Sequence, residues 1–77
     1  MNKVQRKLLN KLIEQLKTAK DDIELIADDE QEKFDNLPEG LQYSEKGEQL
    51  EEAASSLNGQ ADALDDVISS LADLADA

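Results

Sequence analysis

Leu9, Leu12, Leu16, Ala19, Ile23 and Ile26 recur at spacings of 3, 4, 3, 4 and 3 residues, and Val4, Leu8, Ile13 and Phe34 widen the stripe they make. Further along, Leu50, Ala54, Leu57, Ala61, Leu64, Ile68, Leu71 and Ala75 keep a 4, 3, 4, 3, 4, 3, 4 rhythm, with Val67 and Leu74 alongside. Alternating steps of 3 and 4 bring a helix back to one face, so each run predicts a long helix with a coiled-coil-like seam. No segment alternates apolar and polar residues as a half-buried strand does, and aromatic and β-branched residues are scarce. The pattern is all-α.

One break separates the runs. Pro38 has no backbone N–H to donate and disfavours helix at Leu37, and Gly40 follows two residues later. Ser44 suits an N-cap, with Glu45 and Glu48 well placed in the first turn beyond it. Helix is therefore expected over about residues 3–35, a turn over about 36–44, and a second helix over about 45–75, all in one domain spanning 1–77. Gly47 and Gly59 are weak points inside the second helix, each costing up to ~1 kcal/mol against Ala. Helices of equal length joined by a short loop make an antiparallel hairpin.

Charge supports that direction. Residues 1–20 hold Lys3, Arg6, Lys7, Lys11, Lys17 and Lys20 against Glu14 alone, whereas residues 53–77 hold five Asp and no basic residue. A hairpin lays the basic start beside the acidic end; parallel pairing of one continuous helix would set each basic segment against its own copy. Two helices alone leave Leu8, Ile13, Val67 and Leu74 partly wet, and a buried apolar side chain is worth roughly 1.5–3 kcal/mol. Dimerisation of the hairpin into a four-helix bundle is the simplest cover, with Leu16, Ile23, Leu57 and Leu64 as the expected oligomer seam.

The inventory of residue types removes most chemistry. The chain has 77 residues with no His, Cys or Trp, and one each of Met, Phe, Tyr and Pro. Without His or Cys there is no imidazole base, thiolate nucleophile, disulfide or zinc site of Cys and His ligands. No glycine-rich phosphate loop occurs, Tyr43 and Ser44 have no evident base or oxyanion partner, and no enzyme activity is expected. Phe34 and Leu37 are expected to close the core at the hairpin end. Apolar runs of at most three residues rule out a membrane span, no signal core follows the basic start, and a cytoplasmic setting is expected.

Charge also singles out a region. The formal net charge is −11, and residues 21–52 by themselves carry 13 acidic residues against Lys33 and Lys46. The whole surplus therefore gathers around the turn. A solvated surface that keeps a small helical protein in solution explains it most plainly. A second reading is a face for a basic protein, in which carboxylates spaced along helices imitate a phosphate backbone and occupy a nucleic-acid channel; Asp21, Asp22, Asp28, Asp29, Glu30, Glu32 and Asp35 are its candidate residues. Loose Ca²⁺ or Mg²⁺ binding by Asp28, Asp29, Glu30, Glu32 and Asp35 is a third, opposed by the lack of a D-x-D-x-D-G loop or Glu-x-x-His pattern; no metal or cofactor is expected. The net charge also opposes direct nucleic-acid binding by the basic start.

The central segment Asp35-Asn36-Leu37-Pro38-Glu39-Gly40-Leu41-Gln42-Tyr43-Ser44-Glu45 follows the acidic stretch 28–33 and precedes Leu/Ala/Asp-rich heptads. Over residues 20–75 it resembles small uncharacterised acidic helical proteins of phages and prophages in Gram-positive bacteria. The resemblance implies a bacterial or phage-infected cytoplasm and, by analogy, a role against a host defence nuclease, of the anti-CRISPR or anti-restriction kind. It supplies no site residues. The expected function is a non-enzymatic interaction protein, homo-oligomeric, whose acidic face meets a basic protein surface. The alternative is a structural or assembly bundle with no nuclease target.

Overall fold

A computed structural model describes all residues, 1–77. The first helix, α1, runs Lys3–Asp35 and begins in a reciprocal cap: Asn2 Oδ1 accepts from the Gln5 N–H at 2.8 Å, and Gln5 Oε1 accepts from the Asn2 N–H at 3.0 Å. Asn36 ends it, and Leu37-Pro38 redirects the chain as expected from proline. A single helical turn, α2 (Glu39–Gln42), lies inside the expected loop; four residues are too few to show a period, so sequence could not reveal it. Helix α3 then runs Glu45–Asp76 from Ser44, whose Oγ accepts from the Gly47 N–H at 3.3 Å. α1 and α3 pack antiparallel, giving a rod of 58 × 14 × 13 Å. This is the all-α helical hairpin that the spacing predicts.

The seam of α3 is the predicted one. Leu50, Ala54, Ala61, Ile68 and Ala75 are buried, and Leu57, Leu64 and Leu71 are half-buried between the helices. The seam of α1 is rotated from expectation. Leu9, Leu16 and Ile23 face α3, but their companions are Ile13, Lys20 and Ala27, followed by Glu30 and Phe34; Leu12, Ala19 and Ile26 are exposed. Ile13 is 4 % exposed and Leu12 is 44 %. Two rows compete to flank the shared leucines. The row through Ile13 ends in Ala27 and Phe34, which fill the turn end, while the row through Leu12 ends in Lys33. Its one awkward member, Lys20, extends its apolar stem along the seam and carries its ammonium out to Asp65 and Glu24.

At the open end of the rod Ile13, Ile68 and Ala75 form the core, with Leu9, Leu16, Leu64, Leu71 and Ala72 against them. Toward the turn Ala27, Ala54 and Ala61 are almost fully covered, with Leu50 buried beyond them. Leu16, Ile23, Leu57 and Leu64, expected to join copies, lie within this intramolecular seam and serve the hairpin itself. Leu37 and Phe34 are half-buried near the turn, where Gln42 Nε2 reaches the Phe34 and Leu37 carbonyls at 3.4 Å each.

Gly47 corrects another expectation. It is buried, and a Cβ there would lie 2.6 Å from the Gln42 carbonyl carbon and 2.8 Å from the Leu41 oxygen. The bare Cα lets the end of α2 cross the first turn of α3. Gly59 faces open space and answers to the simple helix-propensity argument.

Candidate functional site

Residues seven apart on a helix return to nearly one face, displaced by about 10.5 Å along the axis. Asp21, Asp28 and Asp35 therefore make one row on the outward back of α1, with Asp22 and Asp29 beside it and Glu32 between; all six are exposed. Adjacent carboxylates thus recur as pairs, 21/22 and 28/29, one heptad apart. Asp35 Oδ1 accepts from Gln31 Nε2 at 3.0 Å, and none of the six forms a salt bridge. Glu30 is different. It occupies the seam row, its side chain is 23 % exposed, and it accepts from Lys33 Nζ at 2.9 Å, so it does not belong to the carboxylate face. That pairing, chiefly the hydrogen bond to Glu30, holds the Lys33 ammonium above its ordinary value of 10.5.

The acidic residues of α3 occupy the opposite back of the rod. Glu48, Glu51 and Glu52 line a shallow depression with Ser55, and Asp62, Asp66, Asp73 and Asp76 continue outward along the helix. The acidic surplus is consequently two stripes facing away from each other, and one flat partner can meet only one of them at a time. No three carboxylates converge closely enough to hold a metal ion. A rod two helices thick offers no deep cavity; the other depression is a shallow one on α1 between Val4, Lys7, Leu8 and Lys11. No buried side-chain polar atom lacks a partner.

Charge matching between the helices is sparser than the segment totals suggest. Lys17 pairs with Glu14 at 3.3 Å within α1, and Lys20 with Glu24 at 3.4 Å. Only Lys20 to Asp65, at 3.6 Å, crosses from α1 to α3. Lys3, Arg6, Lys7 and Lys11 form no ion pair in the hairpin. Exposed pairs contribute about 0–1 kcal/mol each, so direction is set mainly by the apolar seam.

Asp65 first, and Glu24 second, raise the Lys20 ammonium above 10.5. A folded value above the unfolded one means that its contribution is complete below pH 10.5 and fades as pH climbs through the raised value. Melting followed from pH 8 to 12 is expected to show this directly. The stability of wild type relative to Lys20→Met should fall above pH 10.5 and stay level below it; a flat difference would mean that the Lys20–Asp65 pair adds nothing to stability.

Sequence reasoning missed the exposed edge made by Leu12, Ala19 and Ile26, whose signal was the second row itself, read as core. No helix is long and apolar enough to cross a membrane. No known family model, curated protein or solved structure matches the chain.

Proposed function

We propose that this chain is a non-enzymatic interaction module whose acidic back on α1 docks on a basic surface of a protein that itself binds nucleic acid, in the manner of a phage-type inhibitor of a host defence protein. The observation that carries the reading is the row of exposed carboxylates Asp21, Asp22, Asp28, Asp29, Glu32 and Asp35, none in a salt bridge and repeating by the heptad on a long rigid helix. Fixed, unneutralised charge on a rod steers association with a basic groove and costs little ordering on binding. The resemblance of the Asp35–Glu45 segment to small phage and prophage proteins supplies the bacterial cytoplasmic setting by analogy.

Reversing Asp21, Asp28, Asp29 and Asp35 to Lys is expected to abolish capture of basic proteins from a bacterial lysate and leave the helical signal unchanged. Wild-type capture should be competed by duplex DNA and lost between 0.05 and 0.5 M salt, over which the Debye length falls about threefold. Capture indifferent to the four reversals would end this reading. An assembly role is the second reading, favoured by one observation, the uncovered apolar edge of the hairpin.

A further inference from the structure

Most of the exposed apolar side chains of the two long helices lie on one side of the rod. Leu12, Ala19 and Ile26 each precede a seam residue of α1 (Ile13, Lys20, Ala27). Ala53, Gln60, Val67 and Leu74 likewise precede Ala54, Ala61, Ile68 and Ala75 of α3. In an antiparallel pair these two rows flank the seam on the same edge. The other edge carries Lys17, Glu24, Glu51, Asn58 and Asp65, and the Lys20–Asp65 bridge marks it. One step further out come Leu8, Gln15, Asp22 and Asp29 of α1, and Gln49, Ser56, Ala63 and Ser70 of α3. From Gln49 to Leu74, the two edge rows of α3 hold no charged residue. Leu8, Leu12, Ile26, Val67 and Leu74 are exposed on this side, whereas Val4 and Leu25 lie on the outward back of α1, in the heptad row of Glu32.

We infer that this edge binds a second copy of the chain, related by a two-fold axis beside Ala19, with the two turns at opposite ends of a four-helix bundle. Three features select that occupant and that arrangement. The row Leu12, Ala19, Ile26 is self-complementary when reversed: Leu12 meets Ile26 of the second copy, and Ala19 meets its own equivalent at the middle of α1. Reversal also lays residues 1–20, with six basic side chains against Glu14, alongside residues 21–35 of the other α1, so the basic half of each helix runs beside the acidic half of its mate. Turns at the same end would instead bring two regions of net charge −11 together. Finally, a rod of 58 × 14 Å presents a face of the size a standard interface takes from each partner, about 800 Å². Small Ala and Ser side chains on α3 permit close approach. Asp21, Asp28, Glu32 and Asp35 stay outward, and Leu12, Ala19 and Ile26 are not among the candidate carboxylates, so this inference is tested separately from the proposed function.

The chain contains no cysteine, which makes Ala19→Cys a clean probe. Sedimentation equilibrium from 1 to 500 μM is expected to give twice the chain mass of 8.5 kDa at the upper end. Ala19→Cys should oxidise to a disulfide-linked dimer with undiminished helical signal, while Gly59→Cys, on the outward back of α3, should not. Leu12→Glu with Ile26→Glu should weaken the dimer by ~100-fold or more with the hairpin still helical, since both positions are exposed in the single chain. A monomer at 500 μM overturns the inference. So does a dimer that tolerates both glutamates, or one that Ala19→Cys fails to link.

Discussion

Ile13→Ala is expected to unfold most of the protein at 25 °C, while Leu12→Ala, one residue away and chemically similar, leaves it folded. Ile13 is 4 % exposed and packs with Ile68 and Ala75 in the core at the open end of the rod. Removing three carbons from such a site costs about 2–5 kcal/mol, because the lost burial is joined by a cavity that two facing helices cannot fully close. A chain of this size has only a few kcal/mol to lose. Leu12 faces outward, and its truncation in the single chain should fall within about ±0.5 kcal/mol. Urea denaturation followed by circular dichroism at about 1 μM, where a second copy is dilute, separates the two. Equal losses, or a larger loss at Leu12, would mean that α1 presents its other face to α3.

The second large effect sets one substitution against itself. Gly47→Ala should destabilise the hairpin and Gly59→Ala should stabilise it, though both replace glycine within the same helix. At Gly59 the new methyl meets nothing and the gain is helix propensity, up to ~1 kcal/mol, or about 4–8 °C in melting temperature. At Gly47 the Cβ collides with the backbone of Leu41 and Gln42, atoms that cannot rotate aside as a flexible side chain would. Relieving the overlap requires α2 to move off the first turn of α3, and overpacking of this kind costs about 1–3 kcal/mol, more than propensity returns. Thermal melts of the two single variants decide the matter; a rise for both would show that α2 does not cross there.

The contrast between Gly47 and Gly59 also shows where reading the residues in order runs out. Propensity treats both alike because it is a property of one helix, whereas the overlap at 47 involves the chain's return over itself. Hydrophobic spacing was sufficient for α3, whose seam alternates leucine and alanine, with only isoleucine at 68 and few competing apolar positions. It was ambiguous for α1, where Leu9, Leu16 and Ile23 are shared by two rows and the more uniformly apolar row, through Leu12, Ala19 and Ile26, is the exposed one. Lys20 and Glu30 look like poor seam residues until their charged ends are seen to escape, Lys20 to Asp65 and Glu30 to Lys33. Among the candidate carboxylates, heptad spacing places Asp21, Asp28 and Asp35 together from sequence alone. That Glu30 turns away from them, and that the acids of α3 face the other way, depends on the rotation of each helix about the seam.

The unequal ends of the rod give it a strong electrical polarity. The two helices run in opposite directions, so their backbone dipoles nearly cancel, and the permanent moment comes from side chains. The open end balances its cations against its aspartates, while the surplus of −11 is displaced toward the turn of a body 58 Å long. A single hairpin near a positively charged surface therefore experiences a torque as well as a pull, and it arrives turn first. In the two-fold pair the opposed vectors sum to zero along the rod, leaving a quadrupole with both ends negative. Association of two copies would thus change the protein from an arrow into a symmetric bar, and transient electric birefringence distinguishes the two by the sign and field dependence of alignment.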